Sequence, residues 1–489
     1  MTVHVPDLVA ASAPSAPAAS AAPRRAVAPA TLDATWHAAA VAFIWLTSLA
    51  IAALWVAGGG VQAVLGGGAE SANTLGRLTG LTSANLLLYQ VLLMARVPLF
   101  ERGIGRDAIA RMHRITGFWS FWLMLAHVVL LVVGYSQQAG VSLLAQAWDL
   151  AWNYPGMLLA TAGTLLLVLV VVTSIRRARR RLRYESWHLL HLYAYLGVGL
   201  AIPHMLWTGS DFTAHAWVSV YWWALWALTA AAVVVFRVCV PLWRSVRHGI
   251  RVSSVEHDGP RGVVVRMSGR ALHRLRARPG QFFVWRFLDG RGWTRGHPFS
   301  LAADPGRGGL AISARVVGDG THRLTRLRSG TRVLIEGPYG HMTGRVRTRR
   351  RLLMFGAGAG VAPLLSLLEA EPYGPGDATL VTRDHVDEDA LGAAAVDALV
   401  RQRGLRHIRM NGPRRTGGSS WMPRGVTDWP GAEVVRSLAG DVTDVDVYVC
   451  GPIPWMAALR QDLRAAGAPA VRTPSDALAV DSPRNEPGD

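Results

Sequence analysis

Six stretches of this chain contain no Asp, Glu or Arg, and they follow one another between Trp36 and Phe236: Trp36–Ala57, Leu78–Ala95, Ile115–Gly134, Tyr154–Ile175, Ser186–Gly209 and Phe212–Phe236. A membrane-spanning helix needs roughly 20 predominantly apolar residues, and each stretch meets or nearly meets that length. A buried hairpin of a soluble core would account for the fifth and sixth alone. Six in succession make that reading poor. The arginines fall on alternate connections. Arg96, Arg102, Arg106, Arg111 and Arg114 separate the second stretch from the third; Arg176, Arg177, Arg179, Arg180, Arg181 and Arg183 separate the fourth from the fifth; Arg237, Arg244, Arg247 and Arg251 follow the sixth. The opposite connections, about residues 58–76, 135–153 and 205–211, contain none. Positive charge marks the cytoplasmic side of a multi-pass protein, so the expectation is a cell-membrane protein with both termini cytoplasmic. Trp55, Tyr135, Trp152, Tyr154, Trp207 and Trp217 near the ends of the stretches suit an interfacial aromatic belt.

This distribution explains a conflict in composition. A formal net charge of +19 over 489 residues would suggest a nucleic-acid binder, whereas 51% hydrophobic residues suggest a membrane protein. Much of the charge is a topology signal, and no nucleic-acid partner is expected. All of the basic residues are arginine, which a coding bias explains without arginine-specific chemistry. Cys239 and Cys450 alone exclude a disulfide scaffold. Residues 1–34 form an Ala/Pro/Ser-rich tail without the features of a signal peptide, and 481–489 read as a second disordered tail. From about residue 248, Val- and Ile-rich runs alternate with Gly/Pro/Asp turns. Strands are expected at Gly262–Met267, Phe282–Phe287, Gly309–Val316 and Thr331–Glu336. Strands then alternate with helices: Leu352–Gly356, a helix near 362–370, Thr379–Thr382, a helix near 388–403, His407–Met410 and Val445–Cys450. That alternation points to a parallel sheet with crossover helices.

Ionisable residues inside spans are costly and usually functional. The third stretch carries His127, with His113 at its cytoplasmic edge 14 residues earlier; the fifth carries His191 and His204, 13 residues apart. At about 1.5 Å per residue, each pair is separated by about 20 Å along its helix, and His113 and His127 share a face within about 40°. Both helices run in the same direction, so His113 and His191 lie at an inner level and His127 and His204 at an outer one. Each level offers two imidazoles to one planar metal macrocycle, and haem takes two axial ligands. Polar contacts between helices are the competing reading. His188 rivals His191 from one turn earlier and is taken as an edge or supporting residue. His37 and His215 have no partner at the same spacing.

At these residues the chain resembles the ferric reductase and NADPH oxidase superfamily, over about residues 36–480. YESWHLLH (184–191) is similar to the family's entry to the second ligand helix, with the ligand at its last His. Arg77 and Arg96 flank the second stretch with the spacing seen in the oxidases, while Leu131 stands where the oxidases often carry a further His. RPGQFF (278–283) and HPFSLAADP (297–305) resemble the superfamily's flavin motif. ARVVGDGTHRL (314–324) resembles the segment that follows, and EGPYG (336–340) the connection to a nucleotide-binding subdomain. The FAD contacts so implied are Gln281, Phe282, His297, Pro298, Phe299 and Ser300, with Arg315, Gly320 and Thr321 toward a diphosphate. LLMFGAGAGVAPLLSLL (352–368) reads as strand, Gly-rich turn and helix. Gly356, Gly358 and Gly360 would let backbone N–H groups meet a pyrophosphate, with Pro363 in the first turn; Ala362 stands where relatives usually have Thr. Cys450, Gly451 and Pro452 correspond to the segment beside the nicotinamide. Arg383 is placed to meet a 2′-phosphate, which leans toward NADPH over NADH, with a solvated arginine as the alternative. Leu478 stands where relatives often carry an aromatic residue over the flavin.

The resemblance implies a multi-domain fold: an all-α six-helix transmembrane bundle (35–240), a β-barrel flavin-binding domain (247–345) and an α/β parallel-sheet nucleotide-binding domain (346–480). It implies FAD, two haem b groups and NADPH or NADH. The expected function is electron transfer from cytoplasmic NAD(P)H through FAD and the haems to an acceptor on the outer face, most simply a ferric chelate. Reduction of O2 to superoxide is the alternative. A haem-free membrane anchor for a flavin reductase serving a partner protein is a rival of a different class. A transporter would need acidic or broken midplane helices, and none of the six stretches contains Asp or Glu.

Overall fold

The computed structural model describes residues 29–472, apart from 105, 176–183, 210, 212–214, 291, 341, 387–389, 417–418, 426–427 and 469–470. The arginine run 176–183, most of the expected tails and Leu478 lie outside the described residues. The chain divides into two compact units, residues 28–239 and the chain from residue 240 onward.

The first unit is helical: α1 (Pro29–Ala57), α2 (Gly60–Gly66), α3 (Gly68–Met94), α4 (Pro98–Ile104), α5 (Arg106–Ala139), α6 (Leu143–Asn153), α7 (Met157–Ser174), α8 (Tyr184–Thr208) and α9 (Ala216–Val234), the last running into a π turn at Val235–Cys239. Although the sequence reading extends a disordered tail to residue 34, α1 begins at Pro29. The fixed φ of proline suits a first helical position, and the following alanine is a strong helix former. Among the described residues, five helical runs are long and apolar enough to cross a bilayer: Thr35–Ala57, Ala108–Ala139, Met157–Ser174, Ser186–Thr208 and Ala216–His248. The remaining expected stretch, Leu78–Ala95, falls in α3, which has the length but is more polar.

Several polar residues of helix α3 are met by its neighbours. It packs along α5, as α8 does along α7. Asn73, Thr74, Ser83 and Asn85 of α3 are all buried. The Asn85 amide donates to the Tyr89 hydroxyl (2.8 Å), which donates to the Ile44 carbonyl of α1 (2.9 Å). Ser83 donates to the Ser120 carbonyl of α5 (2.8 Å). The Gln90 amide reaches the His113 carbonyl and the Thr116 hydroxyl, each at 2.5 Å. In a bilayer core such groups have no water to fall back on, so these bonds tie α3 to α1 and α5.

The second unit opens with α10 (Val240–His248), followed by β1 (Arg251–His257), β2 (Gly262–Ser268), β3 (Phe282–Phe287), β4 (His297–Ser300), β5 (Leu310–Arg315), the short α11 (Asp319–Leu324) and β6 (Val333–Tyr339). These strands form two antiparallel sheets, ordered β1-β2-β5 and β4-β3-β6. Antiparallel bridges at Leu301↔Ile312 and Arg251↔Arg332 join the sheets at both edges. Val265, Phe283, Trp285, Leu301, Ile312 and Ile335 fill the interior. Trp285 lodges its indole N–H on the Phe299 carbonyl (3.0 Å), so its large apolar body is buried without an orphaned donor.

β7 (Arg351–Ala357), α12 (Val361–Ala370), β8 (Ala378–Arg383), α13 (Ala393–Arg403), β9 (Arg406–Arg409), α14 (Gly431–Ala439), β10 (Val445–Cys450), α15 (Ile453–Ala465) and β11 (Val471–Arg472) complete the chain. The strands form one parallel sheet ordered β11-β10-β7-β8-β9. Alternate residues of β7 face opposite sides. Leu353 and Phe355 pack with Trp421, Val434 and Leu459, while Leu352 and Met354 pack with Leu364, Leu367 and Leu368.

Polar bonds latch the parallel sheet to the antiparallel ones. Asp258 accepts from Ser313 (3.1 Å) and from the Gly392 N–H (2.8 Å). Glu369 of α12 accepts the Asp304 N–H (2.9 Å), and Ser366 donates to the Ala303 carbonyl (2.8 Å).

Trp421 anchors the segment between β9 and α14. It is 1% exposed, donates to Asp462 (2.7 Å) and accepts the Trp455 indole N–H on its carbonyl (2.9 Å). Trp421→Ala should therefore cost about 3–5 kcal/mol. A thermal melt should show the second unit's transition several degrees lower; an unchanged melt would contradict this core.

Candidate functional site

The four span histidines are brought together in two pairs. The ring centroids of His113 (α5) and His191 (α8) are 6.2 Å apart, and those of His127 (α5) and His204 (α8) are 6.3 Å apart. An imidazole–metal bond of roughly 2 Å on each side of one ion, plus the short distance from nitrogen to ring centre, separates two axial rings by about 6 Å. The second ring nitrogen is engaged in three of the four. His127 Nδ1 donates to the Gly76 carbonyl of α3 (2.7 Å). His204 Nδ1 lies 3.1 Å from the Thr208 hydroxyl, whose own proton goes to the His204 carbonyl (2.8 Å), so the imidazole is the donor. His191 Nδ1 lies 3.2 Å from the Ser174 hydroxyl of α7, which also accepts the Trp187 indole N–H (3.4 Å). Metal-ligating histidines characteristically fix their tautomer this way, leaving Nε2 for the metal. His113 Nδ1 is buried beside the Gln90 backbone of α3.

Glycines make room for this arrangement. A Cβ at Gly80 would collide with the His127 ring, and one at Gly76 would press on Leu131 at 2.9 Å. Gly76 and Gly80 are four residues apart on α3, the spacing that lets two spans approach closely. Pro203 sits inside α8 immediately before His204. Among the described residues no group of three or more His, Cys, Asp or Glu is gathered for a metal ion. A two-imidazole pair fits a metal whose other ligands come from a macrocycle, so the donor set fits haem. His188 is exposed beside Trp187 and is not part of the inner pair. Arg77 pairs with Asp211 (3.9 Å), and Arg96 with Glu101 (3.4 Å).

In the second unit, β4 sets His297 opposite Trp285 of β3 and Ser300 opposite Phe282. His297 stacks near Phe299 (6.2 Å between rings) and lines a small pocket with Phe287, Arg295, Gly320 and Arg323. A Cβ at Gly320 would touch the His297 ring at 2.8 Å. Burial pushes the His297 imidazole below its usual pKa, with the charges of Arg323 and Arg295 adding to the effect. The Gln281 side chain braces the loop through the Arg278 N–H (2.9 Å) and the Gly340 carbonyl (3.2 Å), and Phe282 is buried against Tyr339. The Thr321 hydroxyl closes its own turn by accepting the Val317 (2.9 Å) and Gly318 (3.1 Å) N–H groups. Arg295 and Arg323 were not singled out from sequence, although Arg323 lies two residues beyond Thr321; it pairs with Asp289 (2.6 Å).

The nucleotide-site candidates gather at the C-terminal ends of adjacent parallel strands, where such sheets bind ligands. Gly356 of β7 pairs with Cys450 of β10, and Ala357 with Arg383 of β8. The three turn glycines play different parts. A Cβ at Gly356 would meet Val361 at 2.9 Å, and one at Gly360 would strike the Cys450 carbonyl, so both are packing glycines. Gly358 has φ +55° and opens toward the Arg315 guanidinium. Arg315, expected at the flavin diphosphate, pairs with Asp384 just after β8 (2.6 Å). Pro363 and Ala362 are buried in α12, Gly451 abuts Ala357 and Trp455, and Pro452 caps α15. Arg383 is 9% exposed and turns back to the Asp384 carbonyl. Burial lowers its pKa, opposed by Asp384 and reinforced by Arg414.

Residues 79–202 match the family described as "Ferric reductase like transmembrane component". Among curated proteins, the chain is 28% identical over 202 residues to the ferredoxin reductase component of 3-ketosteroid-9-alpha-monooxygenase from Mycobacterium tuberculosis, covering 40% of this chain and 53% of that protein. It is 39% identical over 131 residues to a probable dihydroorotate dehydrogenase B (NAD(+)) electron transfer subunit from Methanothermobacter thermautotrophicus, covering 25% and 46%. The chain thus spans about half the length of these relatives. A solved ferredoxin NADP+ reductase from Neisseria gonorrhoeae overlaps 45% of this chain and 90% of its own at 19% identity and a TM-score of 0.36. The recognition made from the motifs holds: the chain fits the ferric reductase and NADPH oxidase superfamily, with a ferredoxin-reductase-like module. It is a multi-pass membrane protein.

Burial pushes the Cys450 thiol up to about 12, so almost no thiolate forms at neutral pH. In a Cys239→Ser variant, N-ethylmaleimide at pH 8 should leave native Cys450 unlabelled and label it after denaturation, as read by mass spectrometry. Equal labelling before and after would show that the strand end is open.

Proposed function

We propose that the chain carries electrons across a membrane from cytoplasmic NAD(P)H, through FAD and two haem b groups, to an acceptor on the opposite face. The observation that supports this most is the double pairing of imidazoles at equal spacing, 6.2 and 6.3 Å. The reading takes α3 as a sixth span, with both termini cytoplasmic. The domains are the haem domain (35–240), the FAD domain (247–345) and the NAD(P)H domain (346–480). When bound, FAD would divide a hydride into single electrons and the haems would pass these on one at a time.

The chain's own residues position and tune these groups. His113 and His191 hold the inner haem, and His127 and His204 the outer; Gly76, Ser174 and Thr208 fix ring orientation from behind. His297, neutral through burial, offers a hydrogen bond to the flavin beside Pro298, Phe299 and Ser300. The backbone at Gly320 and Thr321 would meet the flavin diphosphate. Gly358 gives the nucleotide diphosphate its approach, while Gly356, Gly360, Cys450 and Gly451 shape the crevice floor. The relatives described as a ferredoxin reductase component and as the electron transfer subunit of an NAD(+) enzyme support electron transfer through this part of the chain.

A ferric chelate is the proposed acceptor. Reduced-minus-oxidised spectra of purified protein should show b-type bands, and His204→Ala should remove one haem's signal while flavin is retained. Absence of b-type bands from the parent protein would leave only a flavin reductase on a membrane anchor. Ferric reduction should persist with superoxide dismutase present; complete suppression would assign the electrons to O2. The nucleotide lean toward NADPH rests on Arg383 at the end of β8 with Arg414 nearby. Losing one charged hydrogen bond costs about 1.5–3 kcal/mol, so Arg383→Gln should raise KM for NADPH roughly 10-fold or more while sparing NADH. Equal effects on both nucleotides would assign Arg383 a structural role.

A further inference from the structure

Helix α10 has two faces of opposite character. Its inner face is pinned to the flavin sheets: Ser245 is 5% exposed and its hydroxyl accepts the Ile335 N–H of β6 (2.9 Å), and His248, 2% exposed, bonds the Arg270 carbonyl through Nδ1 (2.9 Å). Arg244 reaches the Gly337 carbonyl. The outer face leaves Leu242 53%, Trp243 59% and Val246 64% exposed. For three large apolar side chains on two turns of a nine-residue helix, full exposure to water would be unfavourable.

The exposed stripe does not begin at α10. Helical backbone runs from Ala216 to His248, 33 residues. Along it Leu228, Val235, Val238, Leu242 and Val246 are all exposed. At 1.5 Å per residue the run is about 50 Å long, against about 30 Å of hydrocarbon. The final turns fall beyond the hydrocarbon, and the π turn at Val235–Cys239 is the kind of feature at which a helix changes direction. The charge there is of one sign: Arg237, Arg244, Arg247 and Arg251 are present, and Val235–Arg251 contains no Asp or Glu. The Arg247 guanidinium lies over the Trp243 ring, 5.4 Å from its centroid, which pairs an interfacial aromatic with a cation.

We propose that α10 is an interfacial helix. Its Leu242/Trp243/Val246 face lies in the headgroup layer of an anionic lipid surface and seats the flavin sheets there. Amphipathic helices with basic flanks bind such surfaces through apolar burial together with attraction to anionic lipid. This placement is independent of whether the span histidines carry haem.

The test uses the full chain, carrying Cys239→Ser, reconstituted in nanodiscs of phosphatidylcholine with or without phosphatidylglycerol. Leu242→Cys and Val246→Cys are spin-labelled, with Glu256→Cys, on an exposed part of β1, as the aqueous control; Cys450 is buried. Power saturation compares access to oxygen, which partitions into lipid, with access to a water-soluble nickel chelate. The expected result is an oxygen-to-nickel ratio several-fold higher at 242 and 246 than at 256, rising further with phosphatidylglycerol. Nickel access at 242 and 246 equal to that at 256 would place the face in water and overturn the proposal. Low access to both reagents would mean that protein covers the face, from elsewhere in this chain or a second copy, and would overturn it equally. A high ratio that ignores phosphatidylglycerol would overturn the preference for anionic lipid.

Discussion

A hydrogen-bonding group inside a bilayer has no solvent to fall back on, so a polar atom in the helical unit stays there cheaply only where another part of the chain meets it. Helix α3 shows what this requirement builds. Its Tyr89 takes the Asn85 amide and is itself answered by α1, its Ser83 and Gln90 are answered by α5, and its Gly76 carbonyl takes the proton of His127. The helix least suited by composition to lipid thereby becomes a scaffold for the histidines. The same requirement makes small residues valuable: Gly80 lets the His127 ring sit against the α3 backbone, and a methyl there would displace it.

In the second unit the organising constraint is the direction of the parallel strands. β7, β8 and β10 are hydrogen-bonded neighbours, so their last residues fall along one edge: Gly356 and Ala357, Arg383, and Cys450. Residues far apart in the chain become neighbours through sheet topology alone. Within that cluster the glycines divide the labour. Two are small because backbone or side chain crowds them, and Gly358 because its φ is positive.

Much of this was legible in the sequence because it is periodic or local. Apolar stretches announce spans by length, and the 13- and 14-residue histidine spacings survive folding because helices are regular. Strands such as Phe282–Phe287 and Val445–Cys450 were readable from β-branched and aromatic runs. Strand β1 was missed because few of its residues are buried, and β4 because Pro298 lies inside it. Helices α14 and α15 mix Ala, Val and Arg without a sustained apolar run. The partners that fix the imidazoles were not legible at all: Gly76 lies 51 positions from His127 and Ser174 17 from His191, and neither carries a signal until the helices pack. The placement of Arg315 beside Asp384 depends likewise on how two sheets meet.

The bonds from Asp258, Ser366 and Glu369 and the Arg315–Asp384 pair join two separately packed cores. Neither core can open fully without breaking bonds that the other holds. Their stabilities are therefore linked, and a ligand bound to one half raises the free energy of unfolding the other through the shared contacts. Occupancy of the antiparallel half would be felt as slower amide exchange along β7 and β8, which that ligand never touches.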